Sequence, residues 1–156
     1  MKFNKKLLII CIAIPLLVGG LSALISNSAM DDFMKLDQPP LSPPSWLFPV
    51  VWTILYTLMG ISLYLVLVSG AEQRVISTSI TLFSVQLIFN FFWSIWFFNF
   101  GLFFFAFAWI LALLVLIIAM VVVFSRASKL AAYLNIPYIL WVAFATYLNL
   151  GIALLN

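Results

Sequence analysis

Four long intervals of this sequence carry no charged residue: from Lys6 to Asp31, from Asp37 to Glu72, from Arg74 to Arg126, and from Lys129 to the terminal Asn156. A bilayer core takes about 20 apolar residues per helical crossing. The first, second and last intervals each suit one crossing. The Arg74 to Arg126 interval is too long for one and divides at Asn99-Phe100-Gly101, where Asn and Gly supply turn conformations. The spans expected are about 7–26, 46–69, 75–97, 102–124 and 130–154. Their apolar runs are continuous rather than alternating, which argues for helices and against the strands of a barrel. The fold class expected is therefore an all-α membrane protein, a single bundle of five transmembrane helices.

Composition excludes several chemistries. Hydrophobic residues make up 67% of the chain and charged residues 7%, against about a quarter charged in an ordinary soluble domain. Seven basic and four acidic residues, scattered, form no phosphate-tracking stripe, so nucleic acid is not an expected partner. There is no histidine, and Cys11 is the one cysteine. Imidazole catalysis, thiolate metal clusters and internal disulfides are therefore not expected. All four carboxylates (Asp31, Asp32, Asp37 and Glu72) fall in loops, leaving no ionisable acid at membrane depth for a proton-coupled pump.

The segment from about 27 to 45 is the one sizeable loop, with Pro39, Pro40, Pro43 and Pro44 opposing helix, and it is expected to form an ordered cap. Pro15 and Pro137 fall within spans, where each removes a backbone hydrogen bond and can kink the helix. A cleaved signal peptide is the competing reading of the first span, since Lys2, Lys5 and Lys6 precede it and Ser22, Ala23 and Ala29 follow. The run is long for that purpose. Gly19, Ser22 and Ala23 also suit close helix approach.

The membrane interior holds amides, phenols and indoles. Gln86, Asn90, Trp93 and Phe97 recur at i, i+4, i+7 and i+11 and share one face of the third span. Two carboxamides there either reach a ligand or tie helices together. Trp46, Trp96 and Trp109 suit an interfacial aromatic belt. Trp52 and Trp141 lie deeper, with Tyr56 one turn from Trp52, and with Tyr138, Ala145 and Leu148 along the stripe of Trp141. A pocket of indoles and phenols with a small residue and one or two amides suits a flat, largely apolar aromatic ligand.

Particular strings carry more. Phe48-Pro49-Val50-Val51-Trp52-Thr53-Ile54-Leu55-Tyr56, then Gln86-Leu87-Ile88-Phe89-Asn90, then Pro137-Tyr138-Ile139-Leu140-Trp141-Val142-Ala143-Phe144-Ala145-Thr146 together resemble the translocator protein family, also called tryptophan-rich sensory proteins or peripheral benzodiazepine receptors. The resemblance covers nearly the whole chain. It implies a five-helix bundle, often a homodimer, binding porphyrins such as protoporphyrin IX and haem intermediates, with no required cofactor. It implies Trp52 and Trp141 as pocket tryptophans, Asn90 as the third-helix amide and Ala145 as the small position. Some bacterial members promote light-dependent porphyrin degradation, so Trp52 and Trp141 would be its photochemical residues; transport of porphyrins or lipids is the alternative. Site residues expected are Trp52, Tyr56, Gln86, Asn90, Trp93, Tyr138, Trp141, Ala145 and Leu148.

Two features depart from the family pattern. The W-Y pair of the first loop reads Asp32-Phe33, and the tryptophan of its K-P-x-W-x-P-P string has no counterpart in Gln38-Pro39-Pro40-Leu41-Ser42-Pro43-Pro44. The animal sterol consensus is missing too, because no Lys or Arg follows Tyr147. A bacterial cell membrane is the location this favours.

Five crossings put Lys2, Lys5, Lys6, Arg74, Arg126 and Lys129 on one side and Lys35 alone on the other. Such a bias places the N-terminus in the cytoplasm. A reporter that functions only in the cytoplasm should work when fused before Met1 and fail when fused after Asn156. The reverse pattern, or cleavage between Ser22 and Ala29, would reject this orientation.

Overall fold

The computed structural model describes residues 4–156, apart from the side chains of Ser28, Met30 and Asp31. Lys2 of the basic cluster lies outside the described residues. Among the described residues there is no strand, and five helical segments are long and apolar enough to cross a membrane. The chain is a multi-pass integral membrane protein. We number the crossing helices α1 (Lys5–Ser26), α2 (Leu47–Leu67), α3 (Gln73–Ser94), α4 (Phe103–Ala127) and α5 (Ile136–Leu155).

Local chemistry sets the helix ends. The Asn4 side chain caps α1 by accepting from the Leu7 amide at 3.1 Å. A π-turn over Ile95–Asn99 extends α3, and Gly101, at φ +61, makes the turn into α4. The last crossing is not one continuous helix. A short helix, Lys129–Tyr133, is capped by Ser128, and α5 starts afresh at Ile136 with Pro137 in its first turn. Proline costs nothing there, because first-turn amides have no helical partner. Pro137 therefore marks a helix start, while Pro15 does lie inside α1.

The bundle is a ring. α1 packs on α2 and α3, α3 on α4, and α4 on α5, whereas α2 and α5 share no extended backbone seam. Between α1 and α2 the backbones nearly touch. A Cβ built on Gly60 would lie 2.4 Å from Ile12 Cα and 2.7 Å from the Cys11 carbonyl oxygen, and one on Gly19 would strike the Tyr56 ring. Lipid is as apolar as a leucine side chain, so helices associate through close packing and polar contacts, and small residues permit both. Ser22 and Ser26 on α1 supply polar contacts, sharing the Ser94 hydroxyl while Ser26 also donates to Asn99 Oδ1 at 3.0 Å.

The loop after α1 folds over one end of the bundle. Asp37 and Asn156 exchange two hydrogen bonds, amide to Oδ1 at 3.0 Å and Nδ2 to carbonyl at 3.1 Å. Tyr147 donates to the Pro40 carbonyl at 2.8 Å, and the Pro39 ring lies where a side chain at Gly151 would be. Phe33 lies against Phe97 and Phe98, at centroid separations of 5.7 and 5.1 Å. The exposed Asp32 carboxyl is held below its usual range by a hydrogen bond from Lys35 and by that residue's charge.

Gly60→Ala should destabilise the protein by about 1–3 kcal/mol, because a methyl there must push two backbones apart. Gly20→Ala meets nothing within 4 Å and should be neutral or slightly stabilising. Thermal unfolding of the two variants in one detergent checks the contrast.

Candidate functional site

The polar groups of α2, α3 and α5 meet in a single chain of hydrogen bonds inside the bundle. Tyr56 Oη donates to Asn90 Oδ1 at 2.8 Å; Asn90 Nδ2 donates to Tyr138 Oη at 2.9 Å; Tyr138 Oη donates to Gln86 Oε1 at 2.8 Å. Gln86 Nε2 then approaches Met59 Sδ at 3.7 Å. Gln86 and Asn90 are 0% and 3% exposed. Helical spacing explains the meeting: Gln86 and Asn90 lie one turn apart on α3, so one phenol of α5 can bridge both. The two carboxamides thus hold helices together in this conformation, and a ligand would reach them only by parting the tyrosines.

An aromatic layer covers this chain. The Trp52 ring stacks on Tyr56 at 5.4 Å and 27° and meets Tyr138 edge-on at 6.2 Å and 71°. Trp141 lies one turn along α5 from Tyr138, with Phe48 edge-on at 5.9 Å and Phe144 tilted at 5.7 Å. Its indole N–H is buried, with no acceptor among the described residues. A groove of about 380 Å³ opens between α2 and α5, lined by Val51, Ile54 and Leu55 on one side and by Leu140, Trp141 and Phe144 on the other, with Pro137 among its lining residues.

Of the residues expected at a site, Trp52, Tyr56, Gln86, Asn90 and Tyr138 come together through direct contacts, and Trp141 stands at the adjoining groove. Trp93 belongs to a separate pair. Its indole donates to Asn149 Oδ1 at 3.1 Å, and Asn149 Nδ2 donates to the Phe103 carbonyl at 2.8 Å, tying α3 and α5 to the start of α4. Ala145 and Leu148 are buried in the core between these two polar clusters along α5.

Sequence reasoning missed three contributors. Asn149 was legible as a further amide at membrane depth, two turns beyond Trp141. Met59 and Phe48 carried no comparable signal, because a methionine or phenylalanine in an apolar run looks like any packing residue. A third polar cluster, Asn135 donating to Ser62 Oγ at 2.8 Å and to the Ala131 carbonyl at 2.9 Å, fastens the break before α5 to α2. Chemically, these groups recognise and orient. The deep groups are phenols, amides and hydroxyls, which both donate and accept hydrogen bonds, and indoles, which donate.

Comparison with known proteins agrees with this architecture. The model of the TspO/MBR family matches residues 11–155. The chain is 38% identical to the "Tryptophan-rich protein TspO" of Chlorobaculum tepidum, across 98% of this chain and 99% of the relative. It is also 38% identical to the protein of that name from Archaeoglobus fulgidus, across 84% of each. The human "Translocator protein" is 31% identical, across 82% of this chain and 76% of the relative.

Tyr138→Phe removes both bonds made by the central phenol. Interhelical hydrogen bonds in membranes average about 0.6 kcal/mol and reach about 1.7, so the variant should lose roughly 1–3 kcal/mol of stability. Adding Asn90→Leu should then cost less than it does alone, because the two residues share a bond. Steric-trap or detergent unfolding of the four-member cycle measures the coupling, and strict additivity would reject the network.

Proposed function

Because the chain belongs to the TspO/MBR family, we propose that it binds porphyrins, such as protoporphyrin IX and haem intermediates, and other flat hydrophobic ligands in the tryptophan-lined interior between α2, α3 and α5. The observation that carries this reading is the Trp52 stack. An indole held against two phenols offers a rigid aromatic face beside amides that can fix a ligand's orientation. Trp141, with a buried donor awaiting an acceptor, supplies the second aromatic wall.

Light-dependent degradation of the bound porphyrin is a second reading, favoured by the contact of Trp52 with Tyr56 and Tyr138. Excited porphyrin and oxygen would supply the oxidising power. The protein's part is to hold an oxidisable indole beside the ring and exclude water, a division of labour common where a pigment carries the chemistry.

Illumination of the purified protein with protoporphyrin IX, following binding and loss of the porphyrin spectrum, tests both readings. In Trp52→Phe and Trp141→Phe a flat apolar wall survives, so binding should weaken by only about 0.5–1.5 kcal/mol, the worth of an aromatic contact. Phenylalanine is much harder to oxidise than indole, so light-driven decay should fall far more than binding. Decay that persists in the double variant with porphyrin bound would leave a binding protein without indole photochemistry. A parent protein that binds no porphyrin would reject the whole reading.

A further inference from the structure

The ring of helices has one seam that backbone packing does not close. α2 and α5 share no extended contact, and the groove between them is walled by aliphatic and aromatic side chains without a charged group. Ile54 and Leu140, on its two sides, are 54% and 66% exposed to what is lipid in a membrane. The groove adjoins the aromatic layer at Trp141, which lines it and stands one turn along α5 from Tyr138.

The end that faces the loop is differently made. Three hydrogen bonds, two between Asp37 and Asn156 and one from Tyr147 to Pro40, latch the loop to α5, and Pro39 occupies the space beside Gly151. Entry from that end requires breaking all three and lifting a proline. The seam is closed by ring contacts: Phe48 and Phe144 both meet Trp141, and Phe144 also stacks on Tyr147 at 6.1 Å.

We propose that flat, uncharged aromatic ligands reach the interior sideways from the bilayer hydrocarbon, through the α2–α5 seam, with Trp141 and Phe144 as the threshold and the loop latch still closed. This rests on the functional reading above. Ring faces at the threshold select a flat ligand, and the unpaired Trp141 N–H favours one that carries an acceptor over an acyl chain, which offers none. An ion at hydrocarbon depth is costly and the groove offers no counter-charge, so a porphyrin passes the seam with its propionates protonated or esterified.

A portal is a kinetic element: filling it slows entry and exit alike and leaves the equilibrium affinity in place. The test uses the full chain in phosphatidylcholine proteoliposomes and protoporphyrin IX dimethyl ester delivered from donor vesicles, with protein-free vesicles giving the lipid-transfer rate. In Val51→Phe/Leu140→Phe, association and dissociation should both slow by about tenfold while affinity stays within about twofold. Ile54→Phe, a single lipid-facing change, replaces the pair if it folds poorly. In Asn156→Ala/Tyr147→Phe, which removes all three latch bonds, both rates should be unchanged.

Groove variants with unaltered rates, or with weakened affinity and unaltered association, would overturn the portal. Faster entry and exit in the latch variant would overturn it in favour of a route past the loop. Equilibrium titration of the parent separates these results from failure of the functional reading: no porphyrin binding there rejects both, whereas binding with unaltered kinetics in the groove variants rejects the portal alone.

Discussion

In hydrocarbon a polar group has no water to fall back on, and the architecture of this protein follows from where its buried polar groups find partners. Tyr56, Asn90, Tyr138 and Gln86 solve the problem together, each accepting or donating to the next across three helices. That chain links α2 to α5 through Asn90 of α3, while the backbones of α2 and α5 stay apart. With no hydrophobic force to gather the helices, a few such bonds and a few close approaches decide which faces meet. The Gly60 contact closes α1 on α2, and Trp93 with Asn149 secures α3 to α5.

The same economy leaves one side loosely made. Two helices joined by phenols and amides through a third, rather than by their own backbones, leave room for a groove, and its side chains are those that lipid tolerates. Opposite solutions meet at one site. The loop end is fixed by hydrogen bonds and a proline contact, while the seam is closed by ring contacts. Rigidity and access are thus assigned to different walls.

The loop after α1 is held to the bundle at two places. Phe33 places a ring on Phe97 and Phe98, beside the π-turn that ends α3. The cap is also held by polar contacts at the far end of α5, from Tyr147 and Asn156, whose partners lie more than a hundred residues away in the chain.

The charge-free intervals alone required five membrane-crossing helices, because the hydrocarbon core fixes how long an apolar run must be and where charge is forbidden. Helical periodicity likewise put Gln86, Asn90 and Trp93 on one face, and the depth of Trp52 and Trp141 set them apart from interfacial tryptophans. Which partners those groups take was decided in three dimensions. Asn90 and Gln86 bond to tyrosines rather than standing open, Trp93 turns to Asn149, and Pro137 begins a helix instead of bending one. A sequence states the period of each helix but not its rotation or its neighbours. Those depend on close approaches such as Gly60 against Ile12, which exist only once the bundle has formed.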